Sequence, residues 1–291
     1  MVLAAGLGTR LRPLTLEVPK PLVWLGDRPQ LAHVLDSLAR AGVERVVMNT
    51  HHLPERFAEF VRAGAAPLAI ELVHETEILG TAGGVANAAR ALGPGPRLVV
   101  NADIVADFDL RAVEALAARE HASAVLVVGP RRARGEGTVG ITADGLLARI
   151  RAARRGEEVA GADYAGIVWL GEALSRSLPA QGCLVGDVIL PALERGERIA
   201  ITTLAESFVD VGTPGEYLAA NLEWLARRGL RAWVAPDAEV DPRAELRGVI
   251  VAPGASVGPG LLEDVVVWPG ARAEGPIERA VVTRAGITLV R

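Results

Sequence analysis

Residues 1–22 read MVLAAGLGTRLRPLTLEVPKPL, and this stretch decides how the rest of the chain is interpreted. Val2–Ala5 is a short apolar run of the kind that forms the first strand of a parallel sheet. Gly6-Leu7-Gly8 follows as a turn in which a phosphate can reach bare backbone amides. Arg10, Arg12 and Lys20 bring cations to the same place. The stretch therefore predicts a strand that ends in an anion-binding turn.

The turn matches neither of the two common phosphate-binding motifs. The dinucleotide fingerprint G-x-G-x-x-G requires a third glycine where Leu11 stands, and the P-loop pattern G-x-x-x-x-G-K-[ST] is absent. Lys20 is the only lysine among the 31 lysines and arginines of the chain. Because lysine is a compact point charge and arginine a planar fork, a site that needs contact with a single oxygen cannot exchange the two freely. We interpret Lys20 as a functional cation rather than as a solvated lysine that is present by chance in an arginine-rich sequence.

The overall composition excludes several classes of protein. The chain has 291 residues, is 50% hydrophobic and carries a net charge of −4 without any basic run, which argues against nucleic acid or an anionic membrane as the main partner. Cys183 is the only cysteine, so no internal disulfide can form and a reducing compartment is expected. No stretch resembles a signal peptide or reaches the ~18 apolar residues of a membrane span. We expect a cytoplasmic protein.

Strand and helix patterns alternate over the first two hundred residues. Leu31, Val34, Leu35 and Leu38 repeat at helical spacing, and Gly42 is placed to cap that helix. Further strands are predicted at 45–49, 68–73, 98–100, 124–128, 199–203 and 208–210, and further helices at 54–61, 81–92, 110–119, 185–193 and 217–225. Strands and helices of this spacing form βαβ units, whose ligands bind at the carboxyl ends of the strands. The predicted fold class is α/β, with a mixed, mostly parallel Rossmann-like sheet and helices on both faces.

The middle of the chain has a different pattern. Residues 139–170 read as short strands, including 146–150 and 164–170, with polar turns between them. This pattern predicts a sheet flap laid over the pocket. The charged residues Arg151 to Arg155, with Glu157 and Glu158, are predicted to form a solvated hairpin.

Beyond residue 233 the pattern changes again. Aliphatic residues recur every six positions between glycines and prolines, as in Val234, Val240 and Leu246, which is the sign of a parallel β-helix. The register slips at Gly248, so the β-helix is expected to be short or irregular. We predict a left-handed β-helix-like tail over 231–291 behind a domain of residues 1–230. A cap or a dimer surface is the favoured role of the tail, because no histidine lies beyond His121.

Two aspartates follow predicted strands and suggest a metal site. Asp103 closes the sequence Asn101-Ala102-Asp103, and Asp210 lies in the sequence VDVGTP of residues 209–214. A carboxylate at the carboxyl end of a buried strand is well placed for a hard cation, and two of them could hold Mg²⁺ while substrate phosphates complete its shell. Taken alone, Asp103 is better explained as a turn or helix-capping residue.

The motifs together resemble those of the sugar-1-phosphate nucleotidyltransferases, the NDP-sugar pyrophosphorylases. The opening GxGTRLRPLT with PKPL, the NAD of residues 101–103 and the DVGTP of residues 210–214 occur in the family's order and at similar distances. The resemblance covers about residues 1–225. It implies a transfer in which a sugar-1-phosphate oxygen attacks the α-phosphorus of a nucleoside triphosphate and pyrophosphate leaves. Such a site works by alignment and charge neutralisation, without a covalent intermediate.

The resemblance also implies a role for each matching residue. Arg10 would hold the β- and γ-phosphates and Lys20 would lie near the α-phosphate, so these two are the candidate catalytic residues. The candidate nucleotide-binding residues are Ala4, Ala5, Gly6, Gly8, Thr9, Glu75, Gly80, Thr81, Gly83 and Asn101. The candidate sugar-binding residues are Gly140, Tyr164 and Gly166, and the candidate Mg²⁺ ligands are Asp103 and Asp210. The glycines of the loop 75–84 would let the nucleobase approach backbone groups.

The choice of substrate rests on weaker signals. The sequence LGTAG of residues 79–83 and the hexapeptide-like tail resemble the mannose-1-phosphate guanylyltransferases, which favours GTP with mannose-1-phosphate. Many family members carry a Glu-Lys-Pro segment before the sugar-facing strand. This chain lacks it, as do the N-acetylmuramate-1-phosphate uridylyltransferases, and Glu157 or Arg155 would have to substitute. Uridylyl or thymidylyl transfer to N-acetylmuramate-1-phosphate or glucose-1-phosphate therefore stays open.

Two other classes of function remain as alternatives. A non-catalytic nucleotide-sugar-binding regulatory subunit is disfavoured by the intact Arg10, Lys20, Asp103 and Asp210. An acyltransferase centred on the tail is disfavoured by the irregular repeat and the missing histidine. Release of pyrophosphate from nucleotides and sugar phosphates separates the three. The expected partners are these two substrates, with no nucleic acid and no membrane, and the tail could form a homo-oligomer.

Overall fold

The computed structural model describes residues 1–64, 66–206 and 208–290. Contacts divide the chain into two compact units: unit 1 comprises Met1–Gly6 and Val34–Val209, and unit 2 comprises Leu7–His33 and Asp210–Arg291. The opening motif is shared between the units, since the chain leaves unit 1 after Gly6. The domain boundary predicted at residue 230 stays a prediction. None of the helices in the described ranges is long and apolar enough to cross a membrane.

Helices and strands are numbered in chain order. The helices are α1 (Gln30–Arg40), α2 (Pro54–Arg62), α3 (Gly80–Asn87), α4 (Ala89–Leu92), α5 (Leu110–Arg119), α6 (Glu172–Arg176), α7 (Leu190–Glu194) and α8 (Pro214–Ala226). The strands are β1 (Val2–Leu3), β2 (Trp24–Leu25), β3 (Arg28–Pro29), β4 (Arg45–Thr50), β5 (Ala69–His74), β6 (Arg97–Asn101), β7 (Ile104–Val105), β8 (Ala124–Val128), β9 (Val139–Ile141), β10 (Leu147–Ile150), β11 (Ala153–Arg154), β12 (Ala160–Ala162), β13 (Tyr164–Leu170), β14 (Ile199–Thr203), β15 (Val209–Asp210), β16 (Ala232–Val234), β17 (Glu239–Val240), β18 (Ala244–Val251), β19 (Ser256–Val257), β20 (Gly260–Val267), β21 (Arg272–Ala273), β22 (Ile277–Val282) and β23 (Ile287–Leu289).

The main sheet of unit 1 confirms the predicted mixed, mostly parallel arrangement. It has seven strands in the order β14-β8-β13-β6-β1-β4-β5. Only β13 runs antiparallel to its neighbours β6 and β8, and the other described pairs are parallel. The carboxyl ends of β6, β1, β4 and β5 therefore lie side by side at one edge, which we call the carboxyl edge.

The sheet is buried on both faces, as its continuous apolar strands predict. In β8, Ala124, Leu126 and Val128 join one apolar cluster with residues of α3, α7 and the strands β9 and β10. Val125 and Val127 point to the opposite face and are also fully buried. Two predicted helices are interrupted: α3 and α4 are separated at Ala88, and a stretch of π-helix, Leu184–Ile189, leads into α7.

The predicted flap is partly wrong. The strands β9 to β12 form a separate antiparallel sheet in the order β11-β10-β9-β12. Residues 164–170, however, are strand β13 of the main sheet, where β13 pairs with both β6 and β8. The sequence does not distinguish a central antiparallel strand from a flap strand, because both are short runs with branched and aromatic residues.

The predicted solvated hairpin is also partly wrong, because Glu158 is buried. Its side chain is only 8% exposed, and its carboxylate lies 2.9 Å from the guanidinium of Arg149, which is 9% exposed. Arg149 donates further hydrogen bonds to the carbonyls of Glu136, Gly137 and Val139. A charge can be buried when it is paired and fully hydrogen-bonded, and this pair satisfies both conditions.

The C-terminal strands of unit 2 form the predicted β-helix-like tail. Two sheets run along it, β16-β18-β20-β22-β23 and β17-β19-β21, and their pairs are parallel except the last, β22 with β23. Ala232 pairs with Val249, which pairs with Val265, which pairs with Ala280, so one turn takes 15 to 17 residues. Val234, one of the aliphatic residues of the predicted six-residue repeat, is exposed. The handedness stays a prediction.

Helix α8, which covers the predicted helix 217–225, packs on this tail within unit 2. The ring of Tyr217 in α8 lies edge-on to that of Trp268, and the indole Nε1 of Trp268 donates to the Tyr217 hydroxyl at 2.9 Å. The rings of Trp224 and Trp233 also lie edge-on to each other. Burial raises the pKa of Tyr217, so the hydroxyl stays neutral and serves as a structural hydrogen-bonding group.

Candidate active site

A buried hydrogen-bond network lies at the carboxyl edge of unit 1. Asn49, the second-last residue of β4, is 2% exposed, and its Oδ1 accepts a hydrogen bond from the Ala4 amide at 2.8 Å. Its Nδ2 donates to Oε1 of Glu75 at 2.7 Å. The second carboxylate oxygen of Glu75 accepts from the Leu79 amide at 3.3 Å. Asn49 was missed by the sequence reasoning, since a polar residue near a strand end has no motif of its own.

The loop predicted to contact the nucleobase is held by a second chain segment. Gly182 exchanges two backbone hydrogen bonds with it, from Gly182 N to the Leu79 carbonyl and from Ala82 N to the Gly182 carbonyl, each 2.9 Å. The Leu184 amide donates to the Thr81 hydroxyl at 2.7 Å. Thr81 therefore serves as an anchor for this segment.

Close packing explains why glycine occupies two positions of this loop. A Cβ at Gly80 would lie 2.4 Å from the Gly182 carbonyl oxygen, and one at Gly83 would lie 2.6 Å from that of Ala180. Gly80 also has φ +76, which favours glycine. At both positions the backbone of residues 180–182 lies where a Cβ would be. The contacts of Gly80 and Gly83 with a nucleotide stay a prediction.

Tyr164 and Gly166, two of the residues predicted to face the sugar, lie on β13 in unit 1. Gly166 has φ +68 at a bulge in β13, and a Cβ there would lie 2.6 Å from Nδ2 of Asn101. The Tyr164 amide donates to the Thr138 hydroxyl at 2.8 Å, and the Tyr164 ring packs on the apolar core. Burial raises the pKa of Tyr164. Its hydroxyl therefore stays neutral, and a contact of Tyr164 or Gly166 with sugar stays a prediction.

Gly140 makes room for the buried ion pair of the small sheet. A Cβ at this position would lie 2.4 Å from the Glu158 carboxylate and 2.9 Å from Cβ of Arg149. The hydrogen bonds from Arg149 hold the pKa of Glu158 below its usual value, and the same pairing raises the pKa of Arg149. The packing of the ion pair thus explains why glycine occupies position 140. A contact of Gly140 with sugar stays a prediction.

In unit 2 the opening motif folds back on itself. Gly8 has φ +60 at the start of the short helical turn Thr9–Leu11, and a Cβ there would lie 2.8 Å from the Thr15 side chain and 3.1 Å from that of Lys20. The Thr15 hydroxyl donates to the Gly8 carbonyl at 2.8 Å. The motif therefore needs glycine for its backbone conformation and for contact with its own later residues.

The same unit brings the cations of the motif to the VDVGTP segment. The ammonium of Lys20 lies 3.5 Å from the carboxylate of Asp210, with side chains 12% and 52% exposed. A Cβ at Gly212 would lie 2.8 Å from the Glu216 carboxylate and 3.1 Å from the Arg10 guanidinium. Glu216 in turn accepts from the Gly212 amide at 3.0 Å. Two motifs that are distant in sequence thus meet through a lysine and an aspartate.

The two predicted metal ligands are carboxylates at strand ends, Asp103 after β6 and Asp210 at the end of β15. Within the described ranges, no group of three or more histidine, cysteine or acidic side chains could hold a metal ion. Mg²⁺ suits this donor set, because it is commonly bound through one or two carboxylates together with substrate phosphates and water. The assignment of Mg²⁺ to Asp103 and Asp210 stays a prediction.

Comparison with known proteins decides the family. Residues 1–151 match the family model described as Nucleotidyl transferase. The chain belongs to this family. It is 31% identical to a mannose-1-phosphate guanylyltransferase of Mycobacterium tuberculosis over 94% of its own length and 80% of that protein, and 29% identical to the mannose-1-phosphate guanylyltransferase catalytic subunit beta of Drosophila pseudoobscura pseudoobscura over 89% and 70%. Its fold is similar to a crystal structure of HddC from Yersinia pseudotuberculosis, with TM-score 0.63, 21% identity and coverage of 77% of this chain and 97% of that one.

In this nucleotidyl transferase, Glu157 and Arg155 lie away from the predicted site. Both line a groove of about 490 Å³ together with Ile199. Ile199 begins β14 and pairs with Ala124, the first residue of β8, so the groove lies at the amino ends of these strands. The carboxyl edge is at the other end of the sheet. This placement does not support the hypothesis that Glu157 or Arg155 replaces the missing Glu-Lys-Pro segment, and the hypothesis stays a prediction.

A different cation of the same segment, Arg151, contacts the chain segment that holds the loop 75–84. The guanidinium of Arg151 donates to Sγ of Cys183 at 3.3 Å, next to the residues that hold Leu79 to Ala82. Burial raises the pKa of Cys183, but hydrogen bonds from the Gly186 amide and Arg151 outweigh burial and hold the pKa below its usual value. Sequence reasoning missed both residues, because neither lies in a motif.

Proposed function

We propose that this nucleotidyl transferase joins mannose-1-phosphate to GTP, giving GDP-mannose and pyrophosphate. The observation that carries the proposal is the approach of Lys20 to Asp210 at 3.5 Å, which unites the two ends of the family motif set in one unit. The relatives named as mannose-1-phosphate guanylyltransferases span most of the chain and supply the choice of base and sugar.

The proposed chemistry uses charge and alignment. Gly8, in its left-handed conformation, and Arg10 would bind the phosphates that leave, while Lys20 would lie at the α-phosphorus, where two anions must meet. A fixed cation there stabilises the transition state more than the separated substrates, since the repulsion is greatest when the phosphates are in contact. Asp103 and Asp210 would hold Mg²⁺, which neutralises phosphate charge when bound.

A substrate matrix tests the proposal. Purified protein is given GTP, UTP, dTTP, ATP or CTP with mannose-1-phosphate, glucose-1-phosphate or N-acetylmuramate-1-phosphate, and pyrophosphate release is followed with and without Mg²⁺. We expect the highest kcat/KM for GTP with mannose-1-phosphate and no turnover in EDTA. A marked preference for UTP or dTTP would refute the choice of base, and binding without turnover of any pair would favour a regulatory subunit.

Two further statements belong to the same proposal. We infer a cytoplasmic location, supported by the single cysteine, which is consistent with a reducing compartment. We also propose that the β-helix-like tail forms a homo-oligomer, supported by its exposed Val234, Ile287 and Leu289. Sedimentation of wild-type protein and of an Ile287→Glu/Leu289→Glu variant tests the second statement, which requires the variant to shift to a smaller species.

A further inference from the structure

The structure assigns to Asn49 and Glu75 a joint role as positioning residues that fix the spacing between the two ends of the nucleotide site. This inference rests on the proposed function, because it concerns the same nucleotide. Ala4 follows β1 and leads into Gly6-Leu7-Gly8, the turn predicted to bind the triphosphate, and the loop 75–84 is predicted to bind the base. Neither Asn49 nor the side chain of Glu75 needs to touch the nucleotide for this role.

The bridge crosses three neighbouring strands. Asn49 lies on β4, between β1 and β5, and its backbone is in register with Leu3 and Val73. Its side chain reaches Ala4 on one side and Glu75 on the other, at 2.8 and 2.7 Å. Because Asn49 binds both, the turn after β1 and the loop after β5 are linked through one side chain.

The surroundings of the bridge leave little freedom. Asn49 and Glu75 are each 2% exposed. A Cβ at Gly84 would lie 2.6 Å from Nδ2 of Asn49 and 2.8 Å from Oε1 of Glu75, so the helix α3 closes over the pair. The Glu75 backbone is also fixed, since its carbonyl accepts from Nδ1 of His51 at 2.8 Å and its amide donates to the Thr50 carbonyl at 2.8 Å.

The chemistry of the bridge specifies both residue types. Asn49 must accept from the Ala4 amide and donate to Glu75, and Glu75 must accept from both Asn49 and the Leu79 amide. Asn49→Asp removes the donor and places two carboxylates together. Glu75→Gln leaves one acceptor oxygen for two donors. A buried donor or acceptor that loses its partner is costly, so each single variant breaks the bridge.

The double variant Asn49→Asp/Glu75→Gln rebuilds every link. Oδ1 of residue 49 still accepts from Ala4, the new amide at position 75 donates to the second oxygen of residue 49, and its carbonyl oxygen accepts from Leu79. The net charge and the side-chain sizes are unchanged. Recovery in the double variant therefore separates an effect of the bridge from a general effect of either substitution.

The experiment measures four proteins: the parent, the two single variants and the double variant. Steady-state kcat and KM are measured for GTP and UTP with mannose-1-phosphate, and amide hydrogen exchange is followed at Ala4 and Leu79. We expect each single variant to raise KM for the preferred nucleotide by roughly tenfold, with a smaller change in kcat, and to reduce the preference between GTP and UTP. We expect the double variant to restore the preference and the protection of both amides.

Asn221→Asp provides a matched control. Asn221 is fully buried in α8, its Oδ1 accepts from the Gly26 amide at 2.9 Å and its Nδ2 donates to the Tyr217 carbonyl at 2.9 Å. The same substitution there should lower Tm without changing the preference between nucleotides. A double variant that stays as impaired as the single ones, or a loss of preference in Asn221→Asp of equal size, would overturn the inference.

Failure of the proposed function gives a different result. If the parent turned over no pair of substrates, the transferase proposal would fail. Calorimetric titration with GTP and with UTP, together with exchange at Ala4 and Leu79, would then still decide whether the bridge exists and sets nucleotide preference. Equal exchange in all four proteins would refute the bridge even if the enzyme were active.

Discussion

Lys20→Arg is expected to lower kcat about a hundredfold while the stability of the fold changes little. The stability term is small because the partner Asp210 is half-exposed and the separation is 3.5 Å. Ion pairs of this kind contribute at most about 1 kcal/mol, since water screens them and the side chains lose entropy on pairing. The charge is also retained in the arginine variant.

The rate effect follows from the packing of the lysine stem. The Lys20 side chain is only 12% exposed, and its Cβ lies 3.1 Å from the position that a Cβ of Gly8 would occupy. The stem therefore packs close to the Gly8 backbone, and the longer, flatter guanidinium is expected to miss the single α-phosphate oxygen assigned to the ammonium. Loss of one such contact costs about 3 kcal/mol, or roughly two orders of magnitude in rate. Lys20→Ala should lose somewhat more.

Steady-state kinetics and thermal unfolding together test this prediction. Binding of the nucleotide should change less than kcat, because Arg10 and the backbone amides around Gly8 still hold the phosphates. Arg45→Lys serves as the control: Arg45 begins β4, at the end opposite the carboxyl edge, and pairs with Glu71 at 2.7 Å on the surface. We expect that exchange to leave kcat unchanged. If Lys20→Arg turned over like the parent, the lysine would have no special role and the reasoning from its uniqueness would fall.

Further predictions concern the metal, the small sheet and the loop. Asp103→Asn and Asp210→Asn should each remove most of kcat in saturating Mg²⁺ while circular dichroism is unchanged; near-parental turnover in both would refute the metal assignment. Glu158→Gln should lower the free energy of unfolding by about 3 kcal/mol in urea titrations, because a buried arginine loses its counter-charge. The pKa of Glu158 is depressed in the folded protein, so its contribution to the free energy of unfolding should be complete above the usual glutamate pKa and should be lost as the pH falls through the depressed value. If the free energy of unfolding depended on pH in the same way in the variant and the parent, this prediction would be contradicted. Gly80→Ala should cost about 3 kcal/mol of unfolding free energy, because φ is +76 and the new Cβ meets a backbone carbonyl at 2.4 Å. Gly229→Ala, at φ +65 with nothing within 4 Å of the new Cβ, should cost only about 1 kcal/mol, and equal losses would show that the close contact is irrelevant.

The local elements were determined by the sequence. The runs 110–119, 124–128 and 199–203 became α5, β8 and β14 with the predicted bounds, because their apolar periodicity and their flanking polar residues act within a few positions. The order of the motifs also determined the family, since GxGTRLRPLT, NAD and DVGTP are each contiguous. These features depend on residues that are close in sequence and not on which residues are in contact in the folded protein.

Only the tertiary structure decided which polar residues are buried and which distant ones are paired. The sequence predicts Glu158 as one charge of a solvated hairpin. Its burial depends on Arg149, Gly140 and three carbonyl groups, which come into contact only after the small sheet has formed. Asn49 has no motif, and its importance comes from lying on the strand between β1 and β5. Strand neighbours are set by topology, and a sequence of short apolar runs does not specify their order. The physical reason is that hydrogen bonds and ion pairs depend on distances of about 3 Å, which the chain sets only when it has folded.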